Sequence, residues 1–116
     1  MTLRRDDGGV VCERCRIADR PLPRMRGLLG RASLAAGEGM LLRPAPSIHT
    51  FFMRFPIDAV FLGRDGTILK LRENMRPWRA AGCAGAHATL ELAAGEAQRR
   101  SLRAGDRLEA VAVGAG

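Results

Sequence analysis

Cysteine and histidine are the residue types in this sequence best suited to metal binding or nucleophilic chemistry, and the chain has three cysteines and two histidines. Cys12 and Cys15 have the C-x-x-C spacing of zinc and redox sites. Residues 10–17 around them read as a strand, however, and positions three apart in a strand face opposite sides of a sheet. A zinc site would also need Cys83 and a histidine to converge on the pair. We therefore predict reduced cysteines, no metal ion and no cofactor.

Cys83 is the cysteine best placed for nucleophilic catalysis, because it lies in a loop of alanine and glycine. Its base would be His49 or His87, and Ser47 near His49 is the corresponding serine pairing. No nucleophile signature surrounds either pair. A thiol- or metal-dependent hydrolase that uses Cys83 or the C-x-x-C pair is thus the alternative to a non-enzymatic protein, and we predict no catalytic residue.

The most apolar segment, residues 48–58, carries two basic side chains. Read as one strand, it has large apolar groups on both faces, which predicts a strand covered on both sides. One face would carry His49, Phe51, Met53 and Phe55. The other face would carry Thr50, Phe52 and Arg54. The basic groups of His49 and Arg54 would then lie in the interior of the sheet.

A buried guanidinium is costly unless a carboxylate accompanies it, and Asp58 and Glu91 are the two candidates to pair with Arg54. One interpretation is a structural ion pair that fixes the bend at Pro56. The other is a small anion or carboxylate site that Arg54 and His49 form over a floor of neighbouring apolar side chains. The floor residues are Phe51, Phe52 and Met53. The predicted ligand-binding residues are His49, Arg54, Asp58, Phe52, Met53 and Trp78.

Trp78 is the single tryptophan, and it lies between Arg76 and Arg79. It could stack on a base, a sugar or an arginine, although a lone tryptophan more often packs in a core or a lid. With no tyrosine and four phenylalanines, the chain lacks the aromatic platform of a single-strand nucleic-acid binder. We therefore expect no nucleic-acid partner, and non-specific, salt-sensitive binding through arginine is a further alternative.

Length and composition predict one domain over residues 1–116, since the chain is 47% hydrophobic and can bury a real core. The net charge of +7 attracts polyanions whatever the function. No apolar run approaches the length of about 20 residues that a membrane span needs. The charged start of the chain predicts no signal peptide, so we expect a cytoplasmic protein with no membrane partner.

Turn signals recur at short intervals between segments of branched and aromatic residues, which predicts a mainly β protein: a single small β-barrel or β-sandwich with one short helix packed on it. The clearest prediction is a hairpin of residues 58–62 and 67–72 around the loop Gly63 to Gly66. Strands are also predicted at 86–92 and 107–113. The predicted helix covers 22–29, and a shorter turn covers 96–102.

Alternation within two of these strands predicts which side chains face the core. In the hairpin, Leu69 and Leu71 would share one face, and Ile68 would lie on the other with Lys70 and Arg72. In the strand at 86–92, the apolar side chains would face the core. The side chains predicted to face solvent there are His87, Thr89 and Glu91.

Several short blocks together resemble a widespread bacterial and archaeal family, the domain of unknown function called DUF family 192. The blocks are Gly27 to Arg31, Gly39 to Leu42, His49 to Met53 with Pro56 to Asp58 and Phe61-Leu62, Leu90 to Leu92 with Ala94-Gly95, and Gly105-Asp106. The match covers about residues 10–113, and it implies a compact β-barrel or sandwich with a short helix, but no established activity, cofactor or catalytic residue. Family members usually have tryptophan where this chain has Phe52, and the C-x-x-C pair lies outside the shared pattern. We accordingly predict a non-enzymatic β domain that binds a small ligand, such as an anion, or a protein partner.

Overall fold

The computed structural model describes residues 1–18, 33–51 and 53–111, and these form ten strands and one short helix. The elements are β1 (Thr2–Arg5), β2 (Val10–Cys12), β3 (Arg14–Ala18), β4 (Glu38–Leu42), β5 (Ser47–His49), β6 (Ile57–Leu62), β7 (Ile68–Met75), β8 (Ala80–Gly82), β9 (Ala88–Ala93), α1 (Glu96–Arg99) and β10 (Leu108–Val111). The predicted mainly β class is confirmed. The predicted helix over 22–29 and the end of the last predicted strand, residues 112–113, lie outside the described residues.

The strands form three sheets. A five-stranded sheet has the order β3-β4-β9-β6-β7, a three-stranded sheet the order β10-β1-β2, and β5 pairs with β8 in a ribbon of two strands. Only β3 and β4 are parallel; the other pairs of described strands are antiparallel. An isolated β-bridge between Thr67 and Arg107 links the hairpin loop to the segment just before β10.

Two clusters of buried side chains lie on opposite faces of the five-stranded sheet. The first cluster fills the space between this sheet and the three-stranded one, and it includes Leu3, Leu41, Val60, Leu90 and Leu108. The second cluster covers the other face and includes Met40, Met53, Ile57, Phe61 and Met75. Every residue of β6 is buried, because both of its faces meet apolar side chains. Burying each large side chain contributes about 1.5–3 kcal/mol to folding.

The predicted hairpin is confirmed, but its predicted faces are wrong. Phe61 pairs with Lys70 and Leu62 with Ile68, so Leu69 has no opposite residue and forms a bulge. The extra residue shifts the alternation by one position. Ile68 therefore joins the first cluster with Leu71 beside it, whereas Leu69 is 41% exposed.

The prediction that one face of the strand at 86–92 is exposed to solvent is wrong as well. Thr89 and Glu91 are buried, because β9 is the middle strand of the sheet and the second cluster covers the face to which they point. The Thr89 hydroxyl donates to the Ala45 carbonyl over 2.8 Å. Burial raises the pKa of the Glu91 carboxyl to about 7.

The strand predicted over residues 10–17 is two strands that belong to different sheets. The chain bends at Glu13, after which β3 pairs with β4 instead of continuing beside β1. The prediction that Cys12 and Cys15 face opposite sides is therefore wrong, and both side chains lie in the first cluster.

The segment predicted as one interior strand, residues 48–58, is also divided. β5 ends at His49, β6 begins at Ile57, and the described residues between them form a turn and bends. The short turn predicted at 96–102 contains α1. No helix among the described residues is long and apolar enough to cross a membrane.

Candidate functional site

An aromatic strip of three stacked rings lies at the surface beside the β5–β8 ribbon. The rings of His49 and Phe51 are stacked with centroids 4.8 Å apart, and those of Phe51 and Trp78 with centroids 5.7 Å apart. Phe51 is 38% exposed and Trp78 is 55% exposed. We call His49, Phe51 and Trp78 the aromatic strip. The centroid separations are typical of offset aromatic pairs, in which neighbouring rings partly cover each other's faces, and Phe51 and Trp78 keep much of their remaining surface exposed to solvent.

Hydrogen bonds from Thr50 hold the loop that carries Trp78. Its side chain is fully buried, and its hydroxyl donates to the Arg76 carbonyl over 2.6 Å and accepts from the Arg79 amide over 2.9 Å. The Thr50 carbonyl accepts from the Trp78 amide over 3.0 Å. One buried residue thus fixes the loop that carries the tryptophan at both of its ends.

Trp78 has a strained backbone. Its φ is +65°, in the left-handed region that is uncommon for residues other than glycine and rare for bulky ones. That conformation costs about 1–2 kcal/mol. Strain of this kind persists only where surrounding bonds impose it, and here the bonds from Thr50 do so.

A groove of about 500 Å³ runs along the ribbon next to the strip. The ribbon pairs Ile48 with Ala81 and His49 with Ala80, so the walls are mostly small or apolar. Lys70 fixes the far end, because its Nζ donates to the Gly82 carbonyl over 2.9 Å. The lining residues are Ser47, Ile48, His49, Phe51, Ala80, Ala81 and Gly82.

Among the described residues, neither of the two candidate carboxylates, Asp58 and Glu91, pairs with Arg54. Arg54 is exposed, whereas Asp58 is fully buried. The Asp58 carboxylate accepts three backbone amides: that of Asn74 over 2.8 Å, that of Gly95 over 3.0 Å and that of Ala97 over 2.9 Å. Because these amides satisfy both oxygens, the carboxylate has a structural role that ties β7 and α1 to the sheet.

Of the six predicted ligand-binding residues, His49 and Trp78 are brought together. Met53 is buried in the second cluster, and Phe52 lies outside the described residues. Sequence reasoning treated Phe51 as part of an interior floor and missed Thr50 altogether. A signal for Thr50 was absent because its partners are backbone atoms of a loop almost 30 residues away.

The cysteines named in the hydrolase alternative lie mostly in the interior. Cys12 and Cys15 are buried, and the Cys12 thiol donates to the Gly37 carbonyl over 3.5 Å. A hydrogen bond with Cys12, together with burial, raises the pKa of Cys15, while the same bond lowers the pKa of Cys12. Cys83 is partly buried. In residues 1–18, 33–51 and 53–111, no group of three or more histidine, cysteine or carboxylate side chains could hold a metal ion.

Two solved structures are similar to this chain over almost all of its length. One is a protein of unknown function from Novosphingobium aromaticivorans DSM 12444, with a TM-score of 0.81 and 26% identity over 94% of this chain and 82% of that one. The other, from Sinorhizobium meliloti 1021, is described as a "putative transcription regulator"; its TM-score is 0.80 and its identity 29%, over 93% of this chain and 89% of that one. No curated protein matches the chain.

The resemblance noted in the sequence is confirmed by the family comparison. The family model called DUF192, described as Uncharacterized ACR, COG1430, matches residues 2–110, which is nearly the whole chain and includes the ribbon, the aromatic strip and both core clusters. This chain therefore belongs to the DUF192 family.

Proposed function

We propose that this protein is a non-enzymatic β domain that binds a small ring-bearing ligand on the aromatic strip and in the groove beside it. The observation that carries the proposal is the exposed stack of His49, Phe51 and Trp78. Aromatic side chains bury large apolar areas when they can, so a fixed stack in solvent is a surface prepared for a partner with a flat face.

The strained backbone of Trp78 supports the same proposal. A bulky residue at φ +65° lowers the stability of the fold, and the ring of Trp78 is 55% exposed and belongs to neither core cluster of the described residues. Residues held in such conformations cluster at binding and active sites. This loss of stability is explained if the exposed ring of Trp78 binds a ligand.

The charges beside the strip favour a ligand that also carries an anionic group. Arg76 and Arg79 flank Trp78 and are exposed. The Arg79 guanidinium donates to the Trp78 carbonyl over 3.3 Å, which keeps its positive charge close to the strip. An anionic ring compound would stack on the aromatic face and pair with one of these arginines.

The single tryptophan makes a direct experiment simple, because all tryptophan emission comes from the strip. We would titrate the protein with a panel of aromatic acids, nitrogen heterocycles and sugars, following fluorescence and amide shifts together. A true ligand should change the emission of Trp78 and shift the amides of β5 and β8.

Matched variants then separate stacking on the strip from non-specific contact. Trp78→Ala should weaken binding about tenfold or more, as expected for the loss of one stacked ring. Leu69→Ala removes another exposed large apolar side chain, 41% accessible and outside the groove, and should leave binding unchanged. If no compound in the panel perturbs residues 47–51 or 78–82, the proposal fails.

A second candidate function, binding of single-stranded nucleic acid, is favoured by one observation. The strip places three exposed rings beside Arg76 and Arg79, and single-strand binders combine stacked aromatic side chains with cations that follow the backbone. The sequence predicted no aromatic platform because it has no tyrosine and four phenylalanines, most of them in the segment predicted as an interior strand. The description of the similar Sinorhizobium meliloti protein as a transcription regulator agrees with this candidate.

Salt dependence distinguishes the two candidates. Nucleic-acid binding should weaken steeply as salt rises, with a slope of about −0.7 in log affinity against log salt for each phosphate neutralised on a single strand. Binding of a small ring compound should change far less. An oligonucleotide that fails to bind even at low salt would eliminate the second candidate.

A further inference from the structure

A second cavity, of about 190 Å³, lies between the five-stranded and three-stranded sheets and shares no lining residue with the groove beside the strip. We infer that this cavity binds a small organic monocarboxylate with a compact apolar body. The inference is independent of the ligand proposed for the aromatic strip.

The floor of the cavity is the hydrophobic core itself. It is lined by side chains of the first cluster that come from both sheets: Leu3, Leu41, Leu62, Ala88 and Leu108. Ala110 adds a small side chain at the exposed edge. A pocket of this kind, which combines an apolar floor with convergent polar groups at its rim, has the usual character of a small-molecule site.

The rim has an excess of basic side chains. Arg43 follows β4, Arg64 lies in the hairpin loop, and His87 precedes β9, so three distant parts of the chain bring these side chains to one opening. Within the described chain, none of the three side chains makes a hydrogen bond or an ion pair. Their donors are therefore available to an anion at the mouth.

The acidic residue on the rim, Asp65, offsets only part of this charge, because two arginines line the cavity beside it. The Asp65 carboxylate accepts the Thr67 amide over 3.1 Å, and this bond, together with the nearby Arg107 guanidinium, lowers the pKa of Asp65. Arg107 also donates from Nε to the Asp65 carbonyl over 3.0 Å. Asp65 is thus engaged in its own loop, while Arg43 and Arg64 line the opening with no hydrogen-bond or ion-pair partner among the described residues.

The volume limits the ligand. An apolar cavity of about 150 Å³ holds benzene, so 190 Å³ suits a body of similar or slightly larger size. A long acyl chain would not fit. An apolar floor with a cationic mouth selects a molecule with one compact hydrophobic end and one carboxylate, for which benzoate is a suitable probe.

The experiment uses amide shifts of the intact protein with three probes. Benzoate should shift residues 63–66 and 87–88. Benzyl alcohol has a similar body without the charge, and acetate has the charge without the body, so each should bind at least tenfold more weakly. The inference is overturned if about 10 mM benzoate, well above the Kd of a 1 mM ligand, leaves these amides unmoved or shifts only those of the aromatic strip.

Two variants with matched controls test the two ends of the proposed ligand. Arg43→Gln should weaken benzoate binding about tenfold, the lower end expected for a charge-assisted hydrogen bond, whereas Arg72→Gln, at an exposed position outside the cavity, should not. Ala110→Phe should block the mouth, while Ala104→Phe, exposed and away from it, should leave binding intact. Equal effects of a variant and its control would overturn the inference.

Discussion

Residues 47–62 contain two halves of similar apolar character, of which one is buried in a sheet and the other lies at the surface. The sheet half, residues 57–62, is buried on both faces and pairs with β7 and β9. The surface half, of which residues 47–51 and 53–55 are described, forms a short ribbon strand and a turn that exposes Phe51, and only Met53 among these described residues is an apolar core residue. Each half has one buried polar residue that bonds to loop backbone: Asp58 in the sheet half and Thr50 in the surface half. Apolar character alone therefore does not decide which residues face solvent: pairing on both sides buries β6, whereas β5 pairs with β8 alone and the anchored turn after it leaves Phe51 exposed.

The largest effect should come from removing the anchor of the sheet half. Asp58→Ala leaves three backbone amides without their acceptor, one buried and two partly buried, and we expect the free energy of unfolding to fall by about 4 kcal/mol. Denaturant unfolding measures the change. Asp65→Ala, which removes an exposed carboxylate with one amide partner, is the matched control and should cost much less. A loss below about 1 kcal/mol for Asp58→Ala would show that Asp58 does not anchor the sheet half.

The buried carboxyl of Glu91, opposite Ala59 in the sheet, should make stability depend on pH. The folded state keeps its proton up to pH about 7, while the unfolded chain releases it near 4.5, so the folded protein binds more protons between these values. The contribution of Glu91 to stability should therefore fall as pH rises through this window, by about 3 kcal/mol in total, and be constant outside it.

Glu91→Gln isolates this contribution, because its amide does not titrate. The difference in unfolding free energy between the variant and the original protein should grow in the variant's favour from pH 4.5 to 7. A difference that is constant across this range would show that burial does not shift the pKa of Glu91.

Removing the anchor of the surface half should have a smaller effect. Thr50→Val keeps the shape but deprives the Arg76 carbonyl and the Arg79 amide of their shared partner, which should cost about 2 kcal/mol. The amides of residues 76–79 should shift, while those of β6 should not. Shifts that spread equally into β6 would mean that the two halves are not independently anchored.

The smallest expected effect concerns Trp78. Since its φ is +65°, glycine should fit better than alanine there, and Trp78→Gly should be about 1 kcal/mol more stable than Trp78→Ala. Both variants lack the ring, so the comparison isolates the backbone. Equal stability would remove the argument from strain, although not the argument from exposure.

Local signals predicted the fold well where the chain pairs with its neighbour in sequence. The hairpin of β6 and β7 followed from two apolar runs around Gly63 and Gly66, and the mainly β class followed from the spacing of turns. Its side-chain faces were wrong because a bulge at Leu69 changes the alternation, and a bulge of this kind has no distinctive composition.

The site was harder to predict, because its parts come from separate segments. Phe51 and Trp78 stack across 27 positions of sequence, and the bonds that hold them use backbone atoms, which carry no residue-type signal. An apolar run also reads the same whether it fills a core or covers a surface. Arg54 was therefore placed in the interior, although it is exposed.

The pairing of β1 with β10 has a consequence for how the molecule forms. Leu3 lies opposite Ala110, so this ladder joins residues more than a hundred positions apart. Closing so large a loop is slow, since its entropy must be lost before any contact compensates. The three-stranded sheet should consequently be the last region to gain protection from hydrogen exchange during refolding, after the hairpin of β6 and β7. The three-stranded sheet, which covers the first cluster, would then form only after the other sheets have folded.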